Sequence, residues 1–254
     1  MKTQITMLLA LVLIAFAPSS PAAEEFKGNW TLSRSSQPGE VQFGLIHRRN
    51  GGQSQSESDW RVSDFQGLDL SAAGKHDVKF NVIRDAGRID CEGYIKDGEG
   101  AGVFRFIADA KFPKAMGSLG FAGIDYEMQF AMAVHDVSLE FAKAIKAEKL
   151  SGVTTEMLLA FRIHAVTPQF IREIRAAGLT ADDADKLVAF RIHGVTPEFV
   201  ESVKKLGFEN LESDQLIAMR IHGVTPEYIV DMKSRGLKNL TVDQLVNLRI
   251  HGID

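Results

Sequence analysis

Arg-Ile-His-Gly-Val-Thr-Pro-Glu-Phe, residues 191–199, returns as Arg-Ile-His-Gly-Val-Thr-Pro-Glu-Tyr at residues 220–228. The same frame holds Arg-Ile-His-Ala-Val-Thr-Pro-Gln-Phe at residues 162–170 and a last Arg-Ile-His at 249–251. The step is 29 residues each time, without slippage. A fixed period of this size marks a repeat architecture, in which each unit buries its apolar face against its neighbours.

The frame continues upstream, where identity fades and physical type persists. His135 falls in the histidine column, Phe141 in that of Phe170, Phe199 and Tyr228, and Leu150 in that of Leu179, Phe208 and Leu237. One period earlier, Phe112, Met116, Gly120 and Phe121 keep the same places. Five units follow, starting at Phe104, Ala133, Arg162, Arg191 and Arg220, with Arg249 to Asp254 as a stub.

Each unit predicts two short helices. The first starts at Asp109, Ser138, Thr167, Thr196 or Thr225, side chains whose oxygens accept from the free N–H groups of a first turn. Pro168, Pro197 and Pro226 come next, where a missing N–H costs nothing. Gly178, Gly207 and Gly236 stop the helix. The second helix starts near Asp125, Thr154, Asp183, Glu212 and Thr241 and ends at Arg-Ile-His. Just inside it, Glu127, Glu156, Asp185, Asp214 and Asp243 set negative charge against the helix N-terminus. Helices this short are marginal alone in water. Their stability must come from a shared core, expected to include Phe199, Val203, Leu206, Leu216, Ile217 and Ile221.

Residues 26–106 alternate instead with period two. Trp30 and Leu32, Val41 to Leu45, Trp60 and Val62, Val78 to Val82, Ile89 and Cys91, and Phe104 and Phe106 read as half-buried antiparallel strands. Asn50-Gly51-Gly52, Asp85-Ala86-Gly87 and Asp97-Gly98 read as turns, and the polar stretch from Gly51 to Ser58 as a mobile loop. The expected fold class is therefore α+β: a small N-terminal antiparallel β domain followed by an α-solenoid of helical-hairpin repeats. The expected division is a signal peptide over 1–23, a β-rich domain over 24–106 and the repeat array over 107–254.

The signal peptide is read from Lys2, the apolar run Ile5 to Ala17, Pro18 and the small residues Ser19, Ser20, Ala22 and Ala23. A bilayer span takes roughly 20 apolar residues, more than this run holds. The expected location is periplasmic or secreted, with no integral membrane segment after cleavage. Composition is that of an ordinary globular protein, 45% apolar and 24% charged. A formal net charge of -4 does not suggest a nucleic-acid partner. Cys91 is the only cysteine, so no internal disulfide forms.

The repeated Arg-Ile-His-Gly-Val-Thr-Pro-Glu-Phe and Arg-Ile-His-Gly-Val-Thr-Pro-Glu-Tyr units resemble a 29-residue repeat of uncharacterised bacterial envelope proteins, over roughly Phe104 to Asp254. In some of those proteins, similar repeats are appended to membrane metallopeptidases of the beta-lactam-sensor antirepressor type. This chain lacks that peptidase's His-Glu-x-x-His zinc motif and its transmembrane helices, so proteolysis does not carry over. The resemblance implies an accessory repeat of the envelope.

Candidate site residues come from three columns. Arg162, Arg191, Arg220 and Arg249 are either an inter-repeat salt-bridge ladder facing Glu198 and Glu227, or a row of forks for an acidic ligand. Lys146, Arg175, Lys204 and Lys233 are either a solvated face or a partner site. His135, His164, His193, His222 and His251 either cap helix ends, or form a metal ladder or a pH-sensing surface. Equivalent positions in stacked repeats lie on the order of 10 Å apart, too far to share a metal. Gly98-Glu99-Gly100-Ala101-Gly102 has the look of a nucleotide loop, but a strand follows where a helix is required. Asp97 and Glu99 are left as possible cation ligands. No catalytic residue, resident metal or cofactor is expected. The leading function is a non-enzymatic envelope module that binds a protein or peptide. The alternative is a sensory or regulatory ectodomain that responds to a ligand or pH beside a membrane sensor.

Overall fold

A computed structural model of the chain describes residues 26–49, 52–237 and 239–253. The expected signal peptide, residues 1–23, and the turn residues Asn50 and Gly51 lie outside the described residues.

Seven strands come first: β1 (Phe26–Arg34), β2 (Glu40–Arg49), β3 (Gly52–Arg61), β4 (Phe65–Gln66), β5 (Lys75–Arg84), β6 (Gly87–Lys96) and β7 (Glu99–Ala108). They form one sheet in the order β3-β2-β1-β7-β6-β5-β4, and all its strand pairs are antiparallel. The sheet curls into a half-barrel, so that strands far apart in the order meet face to face. Phe43 of β2 lies 6.1 Å from Phe80 of β5, and 5.0 Å from Phe65 of β4, between ring centroids.

This corrects the expected fold class. The β part is not a small cap on a solenoid: it spans most of the N-terminal half and gathers its aromatic side chains into the core that sheet and helices share. Most of β3 escaped the sequence reading because its residues before Trp60 carry no period-two apolar signal. The stretch read as a mobile loop is a strand paired with β2 over its whole length, from Glu40–Arg61 to Arg49–Gly52. An edge strand has little to bury, and apart from Trp60 its described side chains stay at least partly exposed.

Glycine settles the centre of the half-barrel. Trp30 is fully buried, and its indole N–H donates to the Glu92 carbonyl at 3.1 Å. The ring lies over Gly93, Gly100 and Gly102; a Cβ on Gly102 would sit 2.6 Å from the indole nitrogen and 2.0 Å from the Glu92 oxygen. The glycine-rich run is thus the floor beneath a tryptophan. Asp97 (φ 55°) and Gly98 (φ 86°) form the tight β6–β7 turn, where the primed geometry needs two left-handed residues.

Ten helices follow in the described residues, two to a unit: α1 (Phe112–Ser118), α2 (Tyr126–Val134), α3 (Leu139–Ala147), α4 (Thr155–Ile163), α5 (Pro168–Ala176), α6 (Ala184–His193), α7 (Pro197–Lys205), α8 (Ser213–Ile221), α9 (Pro226–Ser234) and α10 (Val242–Ile250). The hydroxyls of Ser138, Thr167, Thr196 and Thr225 accept from the N–H three residues on, at 3.0–3.2 Å. Asp125, Thr154, Asp183 and Thr241 do the same for the second helices. Unit one departs from the pattern. Its proline, Pro113, comes three places later than Pro168, Pro197 and Pro226 in the last three units, so α1 starts at Phe112 and Asp109 accepts from the Lys111 N–H outside the helix. Residues 104–108 of that unit belong to β7. The second helices pack side by side in the order α4, α6, α8, α10.

The two parts share one core. Phe130 of α2 lies among Phe26, Phe104 and Phe106. Buried Gln129 donates to the carbonyls of Ala86 and Asp109, both at 2.7 Å. The Asp85 carboxylate accepts from the Leu139 N–H at the start of α3, at 2.8 Å. No helix among the described residues is long and apolar enough to cross a membrane.

Candidate functional site

Both basic columns reach back about one unit. Arg162, Arg191 and Arg220 each donate from Nε to a carbonyl 27 residues earlier, on His135, His164 and His193, at 2.9, 3.2 and 3.3 Å. Arg249 reaches Gly223 at 3.1 Å. Each guanidinium also lies over the aromatic ring of the preceding unit: Phe141, Phe170, Phe199 and Tyr228, at 5.2, 4.6, 5.0 and 4.5 Å from ring centroid to guanidinium carbon. The accepting carbonyls lie at helix C-terminal ends, where backbone dipoles leave partial negative charge. A Cβ on Gly194 would meet the Arg220 guanidinium at 2.8 Å, so glycine there clears the path.

The second basic column works on the first helices. Lys146 and Lys233 donate to the carbonyls of Leu119 and Leu206, both at 2.6 Å, and Lys204 donates to Ala177. Arg175 donates to the Glu148 carbonyl at 2.9 Å and pairs with the Glu148 carboxylate at 2.8 Å. Repetition of these cations therefore records inter-repeat capping. Glu198 and Glu227, expected opposite the arginines, sit in the first turns of α7 and α9. Their own backbone N–H groups, then the Thr196 and Thr225 hydroxyls, lower their carboxyl pKa values.

The histidines end the second helices. His135, His164, His222 and His251 are C-cap residues, and His193 is the last residue of α6. It is their backbone carbonyls that the arginines of the next unit take, at His135, His164 and His193. No group of three metal-capable side chains gathers among the described residues.

One cleft lies where sheet and helices meet, with a volume of about 680 Å3. Its lining includes Glu57, Asp59 and Trp60 of β3 and His135, Arg162 and Ile163 of the helical part. A chain of alternating charge crosses it. Arg61 meets Asp64 at 3.3 Å, Arg84 meets Asp64 at 3.1 Å, and Arg162 meets Asp136 at 2.9 Å. The Arg84–Asp136 step is a 3.5 Å ionic contact without hydrogen-bond geometry, which leaves Arg84 Nε unpaired by any hydrogen bond. Arg84 also lies over the Trp60 ring at 5.5 Å. The cleft lining carries five carboxylates, Glu40, Glu57, Asp59, Asp64 and Asp136, against three arginines, Arg61, Arg84 and Arg162, so the cleft has an acidic bias.

Burial, and then the Arg162 guanidinium, hold the His135 imidazole below its ordinary value of 6.5. The folded pKa is thus below the unfolded one. The stability this neutral ring gives is complete above about pH 6.5 and is lost as pH falls through the folded value. A His135→Gln variant should lose less melting temperature than the parent between about pH 7.5 and about pH 5. Equal losses would show that this ring does not couple folding to pH.

The feature missed in the sequence is a row of isoleucines. Ile163, Ile192, Ile221 and Ile250 are 51%, 55%, 54% and 55% exposed. Ile221 is therefore a surface residue, not the core residue expected. In four copies of Arg-Ile-His the isoleucine never varies, while the buried column beside it runs Phe161, Phe190, Met219 and half-buried Leu248. That contrast was the available signal: a core column tolerates exchange of apolar groups. Leu159, Val188, Ile217 and Val246 stand one turn earlier on the same helices and are half-buried. Together they make an apolar strip across α4, α6, α8 and α10 that opens at Ile163 into the cleft.

No protein-family model matches the chain, and no curated protein or solved structure is significantly similar to it.

Proposed function

We propose that this protein is an exported, non-enzymatic module of the bacterial envelope that binds a protein or peptide partner along its second helices. The isoleucine row carries the reading. A soluble surface seldom repeats a large exposed aliphatic side chain at one position of four successive repeats, and contiguous apolar surface marks interaction sites. The basic columns, first candidates for contact, are engaged with backbone carbonyls, so the partner's footprint moves to the isoleucines. The envelope setting rests on the leader-like first 23 residues and on the resemblance of the repeats. A sensory role beside a membrane sensor is the second reading, favoured by His135 in the charged cleft between the two parts.

A photo-crosslinking residue at position 192 or 221 tests the first reading in cells. One dominant adduct is expected at both, and none at Gln169 on the exposed surface of α5. A double Ile192→Asp, Ile221→Asp variant should keep its helical signal and lose that adduct. Equal labelling from both faces, or none, would reject the isoleucine row as the contact surface.

A further inference from the structure

We infer that the outer edge of β3 is a docking edge for an extended, lysine- or arginine-bearing segment of a partner protein, which joins the sheet as an added strand. The inference rests on the binding reading above and supplies a mode of contact separate from the isoleucine row.

β3 ends the sheet and pairs only with β2. No described backbone hydrogen bond reaches residues 53–59 from the other side. The strand is ten residues long and its register is unbroken, so it has no bulge. Proline and lysine are absent from it. Natural sheets protect free edges with those devices, with short strands or with charge. β3 has only charge, and the acidic pair Glu57 and Asp59 opposes a like-charged strand while leaving the edge open to a cationic one. Arg49 and Gly52 close the β2–β3 hairpin. Antiparallel ladders alternate, so with that closing pair the N–H and C=O groups of Gln53, Gln55, Glu57 and Asp59 point off the free edge.

The cleft supplies room beside this edge. It adjoins the Glu57–Arg61 end of the edge, and its lining also takes in Arg162, Ile163 and His135 of the helical part, so an added strand would run into it there. Charge then selects the segment. Glu57 and Asp59 share one face of β3, two residues apart, and both are exposed. Neither has an ion pair among the described residues, whereas Arg61 is met by Asp64 and Arg162 by Asp136. Opposite charges directly across a ladder stabilise it and like charges oppose it. A matching segment therefore carries cations at alternate positions.

The test uses the whole mature protein and fluorescence anisotropy with labelled nine-residue probes. One probe alternates threonine and lysine, and a second replaces lysine by glutamate. A third keeps lysine and N-methylates alternate backbone amides in each of the two possible registers. The lysine probe should bind about tenfold or more tightly than the glutamate probe, from two favourable cross-strand pairs against two unfavourable ones. The N-methylated probe of the pairing register should fail. Gln55→Pro, which removes only an outward N–H, should abolish binding while the protein melts normally. Glu57→Lys with Asp59→Lys should reverse the preference toward glutamate. Equal affinity for both charges, indifference to N-methylation and Gln55→Pro, or no binding by any probe would each overturn the inference. The isoleucine reading has its own readout. Loss of the cellular adduct in the double Ile→Asp variant, with lysine-probe binding intact, separates the two surfaces.

Discussion

Gly102→Ala should destabilise the protein by about 3 kcal/mol, the upper range for an overpacked core. The new methyl would lie 2.0 Å from the Glu92 oxygen, 2.7 Å from the Gly93 Cα and 2.6 Å from the Trp30 indole nitrogen. Two of the three obstacles are backbone of the neighbouring strand, which cannot rotate away. The third is a fully buried ring held by its hydrogen bond to Glu92. Relief therefore requires β6 and β7 to part or Trp30 to leave the core. Guanidinium denaturation followed by tryptophan fluorescence reads this directly. Gly117→Ala is the control, because a Cβ there meets nothing within 4 Å and α1 gains a better helix former. The two substitutions should move the midpoint in opposite directions. A Gly102→Ala midpoint equal to the parent's would show that the tryptophan does not need its glycine floor.

Arg220→Ala should cost about 2 kcal/mol and lower the melting temperature by roughly 4–8 °C. Two contacts vanish together. The hydrogen bond from a charged group to the His193 carbonyl contributes about 1.5–3 kcal/mol, and the cation over the Phe199 ring about 0.5–1 kcal/mol at a partly exposed site. Their sum is discounted because the side chain is not fully buried. Arg220→Lys should recover less than half, since an ammonium cannot stack its plane on the ring while it bonds sideways to the carbonyl. Circular dichroism melts of the three proteins decide the matter. An unchanged melt in Arg220→Ala would return this column to the role of ligand forks.

Much of the helical part was legible because its rules are local. A threonine followed by proline, with a glycine after the last turn, starts and stops a helix whatever surrounds it. The start of α7 at Pro197 and of α9 at Pro226 was therefore set by Thr196-Pro197 and Thr225-Pro226. The same local reading failed at Asp109, where Pro113 moved the start of α1. Strands with one buried face were visible at Trp30, Phe43 and Phe80 through their period of two. β3 was not, because an edge strand of Ser, Gln and Glu owes its existence to the ladder with β2 and not to burial.

The candidate sites divide the same way. Repetition singled out the columns of Arg220, Lys233 and His222, but a column has the same spacing whether it caps a neighbour or waits for a ligand. Only the stacking of one unit on the next brings Arg220 to a carbonyl 27 residues earlier and leaves Ile221 facing outward. By itself the sequence determined the 29-residue period, the helix starts and stops in most units and the strand-forming character of the first part. These follow from backbone sterics and hydrogen bonds within a few residues. Tertiary structure alone decided the seven-stranded half-barrel, the free edge of β3, the charged cleft and the exposed isoleucine row. Each of those depends on which distant surfaces meet, and a residue's chemistry does not say what will cover it.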